Sequence, residues 1–355
     1  MQRKYGKIVG WGKYAPERVL TNAEIETFVD TTDEWITRRT GIKQRHIAAD
    51  HETTSSMAIE ASRRALAMAG MTPADLDLIV LGSTTEDYFC PAASSLVQAG
   101  LGAPGTPAFV VNTGCTAFVY ALATGYQFIH SGAYRNVLVI GSELLSRALD
   151  WNDRATCVLF GDGAGAVIIQ ATDEPCGLHG FNLGSEGEDG DAIVFGNPVP
   201  GWNVPREGYP NKTGAILMNG QKVFRFASKV LGQASAAALA DAGLSMADID
   251  VIVPHQANLR IIQAAARDMN LPMEKFVVRV QEYGNTSAAS IPLALVDGLE
   301  SGQIKPTDRI LMVSFGAGLT WAAAVLQMVP VPEPVEAAAE IVNEPEAWAV
   351  PVVGD

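Results

Sequence analysis

The chain holds no apolar run approaching the roughly 20 residues that span a bilayer. Its start, "MQRKYGKIVGWGKYAPERVL", lacks the continuous apolar stretch of a secretion signal. A cytoplasmic protein without a membrane partner is expected. Cysteine is scarce: the four are Cys90, Cys115, Cys157 and Cys176, and no two form a CxxC pair. That pattern offers neither a disulfide framework nor a zinc site. The five histidines are scattered without HExxH, so no metal site is expected. "FGDGAGAV" (160–167) lacks both the GxGxxG spacing and the P-loop lysine of nucleotide sites, and reads instead as close packing or a strand bend. Basic excess is missing too. The net charge of -14 argues against a nucleic-acid partner. Residues 331–355 carry six acids and no Lys or Arg, leaving -8 for residues 1–330. This Pro- and Glu-rich segment reads as a solvated extension.

What is present describes an ordinary globule. At 355 residues, 48% hydrophobic and 18% charged, the chain accommodates two domains or one duplicated domain. Residues 65–81, "ALAMAGMTPADLDLIVL", recur as "ALADAGLSMADIDVIVP" at 238–254, with ten of seventeen positions identical and no gap. Each copy reads as the end of an Ala-rich helix, a Gly stop, a polar turn and a buried strand. The echo continues. "GCTAFVYALATGYQFIHSG" (114–132) aligns with "GNTSAASIPLALVDGLESG" (284–302), and "NVLVIGSELL" (136–145) with "RILMVSFGAG" (309–318).

This alignment sets Cys115 opposite Asn285. "PAFVVN" before the cysteine has the make-up of a buried strand, and "TAFVYALATGYQFIHSG" after it has helix length. Cys115 is therefore expected at a helix N-terminus, where unpaired N–H groups and the helix dipole favour thiolate over thiol. His255 stands just past the repeated strand of the second half, where a strand end opens onto a site. Taken singly, each residue has a plainer reading: a buried inert thiol, a hydrogen-bonded structural histidine, a capping asparagine. Related by an internal twofold axis, the three become candidates for one pocket.

Four segments then carry a resemblance: "DTTDEWITRRTGI" (30–42), "HQANLRI" (255–261), "GNTSAASIP" (284–292) and "FGAGLTW" (315–321). Together they resemble the 3-oxoacyl-[acyl-carrier-protein] synthase III enzymes, which initiate type II fatty-acid synthesis. The similarity runs in order over residues 1–330. It implies an α/β, thiolase-like fold with a duplicated five-layer α-β-α-β-α architecture. Residues 1–172 would form the half with the nucleophile, 173–330 the half with His and Asn, and 331–355 an extension. A homodimer is implied, with acyl-coenzyme A and malonyl-acyl carrier protein as substrates and no cofactor. The cysteine context "NTGCTAF" departs from the family's usual one, which has alanines before the cysteine and Ser/Ala-Gly-Phe after it.

The resemblance assigns catalysis to Cys115, His255 and Asn285. A thiolate takes an acyl group from one thioester and holds it as another of similar energy. Decarboxylation of a malonyl thioester supplies the carbanion, its enolate oxygen held by His255 Nε2–H and the Asn285 amide. Backbone N–H groups of Cys115, Gly316 and Ala317 are the expected oxyanion donors. Trp35, Arg39 and Arg154 fall where the family grips coenzyme A, by adenine stacking and phosphate neutralisation. Thr31, Gly220, Phe224 and Asn258 would line the pantetheine channel. Arg225, Arg260 and Arg267 would form a basic patch for an acidic carrier protein. Cys90 aligns where the family places a residue reaching across the dimer to close the partner's acyl pocket. A side chain smaller than an aromatic ring leaves room for extra methylenes, each worth about 0.8 kcal/mol when buried. Three other readings are weighed: a papain-like protease, which lacks its C-G-[SA]-C-[WY] signature here; an acyltransferase that does not decarboxylate, or a condensing enzyme of secondary metabolism; and a non-catalytic carrier-protein partner.

Overall fold

The computed structural model describes residues 4–195 and 215–331; most of the acidic extension, residues 332–355, lies outside the described residues. The first half runs β1 (Tyr5–Tyr14), β2 (Val19–Thr21), α1 (Asn22–Ile25), α2 (Asp33–Thr40), β3 (Gln44–His46), α3 (Thr54–Ala69), β4 (Leu78–Gly82), α4 (Ala93–Leu101), β5 (Ala108–Val111), α5 (Ala117–His130), β6 (Asn136–Glu143) and β7 (Gly163–Thr172). The second runs β8 (Gly177–Ser185), β9 (Ile193–Phe195), β10 (Ile216–Met218), α6 (Gly220–Ala242), β11 (Val251–Pro254), α7 (Leu259–Asp268), α8 (Val280–Tyr283), α9 (Ser290–Glu300), β12 (Arg309–Gly316) and β13 (Thr320–Gln327).

The repeated sequence forms the same unit twice. α3 stops at Gly70 (φ 63°) and α6 at Gly243 (φ 67°), left-handed positions that glycine occupies without steric cost. Each is followed by one short 3₁₀ turn. In the first turn Asp75 accepts the backbone N–H and the hydroxyl of Thr72, both at 2.8 Å. In the second Asp248 accepts those of Ser245 at 2.8 and 2.7 Å. β4 and β11 then enter equivalent positions in two sheets, ordered β1-β7-β6-β4-β5 and β8-β13-β12-β11. Where β5 flanks β4, only a bridge from Phe276 to Ile252 flanks β11.

Strand alternation explains the layers. Both faces of β6 are buried: Val137 and Val139 point to a core shared with α5, α9 and the other sheet, Leu138 and Ile140 to a core under α3 and α4. β12 repeats this, with Ile310 and Met312 inward and Leu311 and Val313 under α6 and α7. Each fully buried aliphatic contributes about 1.5–3 kcal/mol. The stack is α3/α4, sheet, α5/α9, sheet, α6/α7: five layers. "FGDGAGAV" enters β7, and a Cβ on Gly165 would lie 2.6 Å from Pro292 Cβ, so its glycines let α9 pack tightly.

Candidate active site

Cys115 lies in the tight turn between β5 and α5, two residues before the helix begins. Its loop is fastened to the other half. Ser314 Oγ donates to Cys115 O at 2.9 Å, Thr320 Oγ1 to Thr113 O at 2.9 Å, and the Thr116 and Thr320 hydroxyls meet at 3.0 Å. Backbone meets backbone here: a Cβ on Gly316 would lie 2.6 Å from Cys115 N, and one on Gly114 2.8 Å from Ala317 N. The N–H groups of Cys115 and Ala317 face the sulfur. Gly316 supplies the space for this approach.

The expected preference for thiolate is corrected. Dense packing around Cys115, which keeps only partial exposure, pushes the thiol up to about 12. The Ser287 hydroxyl pulls it down, the Glu143 carboxylate pushes it further up, and the two N–H groups pull it down. Desolvation is the largest of these effects and outweighs the N–H donors at the helix start.

His255 follows β11 directly and is buried. Its N–H bonds Val313 O at 2.8 Å, and Phe315 stands edge-on to its ring with centroids 5.4 Å apart. Nδ1 lies 2.6 Å from Ser290 Oγ, and Nε2 is buried without a partner among the described residues. Burial pushes its pKa down to about 3, so the ring is neutral.

Asn285 sits five residues before α9, with a 3₁₀ turn between. Its backbone is anchored by N–H to Leu159 O at 2.8 Å and by Gly161 N–H to its own carbonyl at 3.1 Å. Its Oδ1 accepts Ser287 N–H at 2.9 Å. Since an N–H only donates, the amide orientation is fixed, and among the described residues no acceptor takes the Nδ2 hydrogens. Ser287 is held in the left-handed region at φ 47°, a costly position for a non-glycine residue. Its hydroxyl donates to Glu143 at 3.0 Å. Glu143 is fully buried at the end of β6 and also accepts from Thr84 N–H and both the Thr84 and Thr85 hydroxyls. Burial pushes this carboxyl up, and its donors oppose the shift. β12 and its following turn thus touch both Cys115 and His255, while Ser287 connects Asn285 to the surroundings of the sulfur.

A cavity of about 1100 Å³ is lined among others by Trp35, Arg39, Arg154, Gly220, Phe224 and Asn258, with Arg225 and Arg260; Cys115, His255 and Asn285 are not in its wall. Its wall includes Leu159, whose carbonyl anchors Asn285. Both Arg39 and Arg154 place their guanidinium 5.4 Å from the Trp35 ring centroid. Two expected residues lie off the lining. Thr31 turns the chain into α2, its N–H bonded to Val29 O and its hydroxyl buried without a partner. Arg267 is exposed in the last turn of α7, about 10 Å along the axis from Arg260. Cys90 is exposed, next to Phe89 at 76% exposure, and is not part of the cavity wall.

Sequence reasoning missed Glu143, Ser287 and Ser290, and also Lys222, which lines the cavity and pairs with Asp189 and Asp191 at 2.8 Å each. Serines and a lone glutamate carry no signal in one dimension; the internal alignment marks only the helix starts beside them. Among the described residues no cluster of His, Cys, Asp and Glu suits a metal ion, and no helix is long and apolar enough to cross a membrane.

Comparison with known proteins bears on this geometry. The model for 3-oxoacyl-[acyl-carrier-protein] synthase III matches residues 109–187, and that for the C terminal of the same enzyme matches residues 239–328. The beta-ketoacyl-[acyl-carrier-protein] synthase III of Clostridium perfringens is 45% identical over 327 residues, 92% of this chain and 100% of the relative. That of Xanthomonas campestris pv. campestris is 47% identical over 326 residues, 92% of this chain and 99% of the relative. The crystal structure of the Aquifex aeolicus 3-oxoacyl-[acyl-carrier-protein] synthase III superposes with a TM-score of 0.85 at 43% identity, covering 91% of this chain and 99% of that one. With likeness in sequence and in fold over some nine-tenths of its length, the chain belongs to the 3-oxoacyl-[acyl-carrier-protein] synthase III family of thiolase-fold condensing enzymes.

Proposed function

We propose that the protein is an initiating condensing enzyme: an acyl-coenzyme A primer acylates Cys115, and malonyl-acyl carrier protein then condenses with it, releasing carbon dioxide and 3-oxoacyl-carrier protein. The observation that supports this reading is that β12 bonds both a thiol with two N–H groups facing it, through Ser314, and a neutral histidine whose Nε2 is buried without a partner among the described residues, through Val313. In the first half-reaction the sulfur attacks the thioester carbonyl, and the Cys115 and Ala317 N–H groups hold the oxyanion. The proton lost from Cys115 equals the one gained by the departing coenzyme A thiol. In the second, the malonyl carbon–carboxylate bond breaks, His255 and Asn285 hold the enolate oxygen, and the enolate carbon displaces the Cys115 thiolate, which takes a proton from solvent to return to the thiol. Thioester exchange and decarboxylation proceed without a cofactor.

The finer assignments are part of the same proposal. Trp35, Arg39 and Arg154 hold the nucleotide, and Gly220, Phe224 and Asn258 line the arm's path, a reading supported by their shared cavity. Residues 1–172 and 173–330 act as the two halves, and the protein works in the cytoplasm as a homodimer. Supporting the dimer, β5 is an edge strand whose Phe109, Val110 and Val111 are only partly buried. In that dimer Cys90 faces the partner's acyl pocket and admits primers longer than acetyl.

Intact mass after mixing with acetyl-, isobutyryl-, hexanoyl- and octanoyl-coenzyme A tests the reading. A single acyl adduct on Cys115 is expected, with the longer primers accepted in the wild type and disfavoured in Cys90→Phe. No adduct with any thioester overturns the reaction; an unchanged chain-length profile in Cys90→Phe overturns the gate alone. The priming beta-ketosynthase of the R1128 polyketide pathway superposes with a TM-score of 0.87 at 35% identity, so fold does not separate the two roles.

A further inference from the structure

The histidine reading above requires its ring proton on Nε2, and the structure holds a device that puts it there. Ser290 Oγ lies 2.6 Å from His255 Nδ1 and 3.3 Å from Gln256 N. The Gln256 N–H only donates, so Oγ accepts from it. The hydroxyl has one hydrogen to give. Ser290 is buried, and among the described residues His255 Nδ1 is the acceptor within reach. Were Nδ1 protonated, two N–H groups would converge on one oxygen while the hydroxyl hydrogen stayed buried and unpaired.

Gln256 is itself immobilised. Its Nε2 donates to Pro254 O at 2.7 Å and Val277 O at 3.0 Å, and its Oε1 accepts Arg279 N–H at 2.8 Å and Val280 N–H at 3.1 Å. With every side-chain hydrogen bond used, the Gln256 backbone N–H is held against Ser290. We propose that Ser290 is a positioning residue whose hydroxyl, fixed as acceptor by Gln256 N–H, donates to His255 Nδ1 and so locks the neutral ring in its Nε2–H tautomer, aimed at the enolate oxygen. Ser290 opens α9, five residues after Asn285, so one segment aligns both enolate donors. The idea rests on the proposed role of His255, but the tautomer exists without substrate and is measured separately from turnover.

The test is nitrogen NMR of full-length protein labelled with ¹⁵N-histidine, at neutral pH, with the His255 signals assigned by their loss in His255→Ala. The wild type is expected to show His255 neutral and protonated on Nε2, and Ser290→Ala to shift it towards Nδ1–H. In parallel, kcat for decarboxylation of malonyl-carrier protein should fall on the order of 100-fold in Ser290→Ala, the lower end of what loss of one preorganised oxyanion donor costs. Acylation of Cys115 should change less than about twofold, and Ser290→Thr, which keeps the hydroxyl, should recover most of the loss. Wild-type His255 protonated on Nδ1 overturns the proposal without any variant. So does an unchanged tautomer in Ser290→Ala, or equal loss of both half-reactions. Failure of the wild type to decarboxylate malonyl thioester would instead strike the proposed reaction and leave the tautomer result standing.

Discussion

At the residue scale, Cys115, the proposed nucleophile, rests as a thiol. Burial pushes Cys115 up to about 12, so the thiolate fraction rises about tenfold per pH unit throughout the neutral range. Alkylation by iodoacetamide, followed on the Cys115 peptide, is therefore expected to keep accelerating from pH 7 through pH 9. A plateau by pH 8 would show that the helix start overcomes desolvation after all. Three residues were legible from their positions: Cys115 and Asn285 before aligned helices, His255 past a repeated strand. The charge state of the sulfur was not, because desolvation depends on what packs around it. Glu143 lies 144 positions from Ser287, to which it is bonded, and His255 lies 35 from Ser290. No local pattern joins such pairs.

At the element scale, the duplication was readable because each copy carries its own stop signals: Gly70 with Asp75, Gly243 with Asp248. What the alignment did not convey is that α9 begins at Ser290, with a 3₁₀ turn over Ser287–Ala289, whereas α5 begins at Ala117. That turn creates the hydroxyl positions of Ser287 and Ser290. Equally hidden was how closely the two halves' turns touch. A Cβ on Gly316 would meet Cys115 N at 2.6 Å, a backbone atom that has no rotamer to yield. Gly316→Ala should slow burst-phase acylation of Cys115 on the order of 100-fold by displacing the nucleophile. Acylation within twofold of wild type would mean that the turn relaxes without harm.

At the scale of the whole molecule, an acidic protein keeps exposed arginines beside the cavity, the patch proposed for the carrier protein. Arg225 and Arg260 border the cavity, Arg267 extends the same helix outward, and none forms an ion pair among the described residues. Reversing Arg260 and Arg267 together should raise KM for malonyl-carrier protein on the order of tenfold at low salt, less at high salt, and leave acylation by acyl-coenzyme A nearly intact. Unchanged carrier-protein kinetics would remove the patch. In the proposed reaction the larger consequence of duplication is a division of labour: the first half would supply the thiol, and the second the enolate donors. The direct measurement follows both half-reactions, acyl adduct by intact mass and carbon dioxide from malonyl-carrier protein, in Cys115→Ala, His255→Ala and Asn285→Ala. Cys115→Ala should form no adduct, while His255→Ala and Asn285→Ala should still acylate yet lose most decarboxylation. Equal loss of both half-reactions in all three variants would contradict that division.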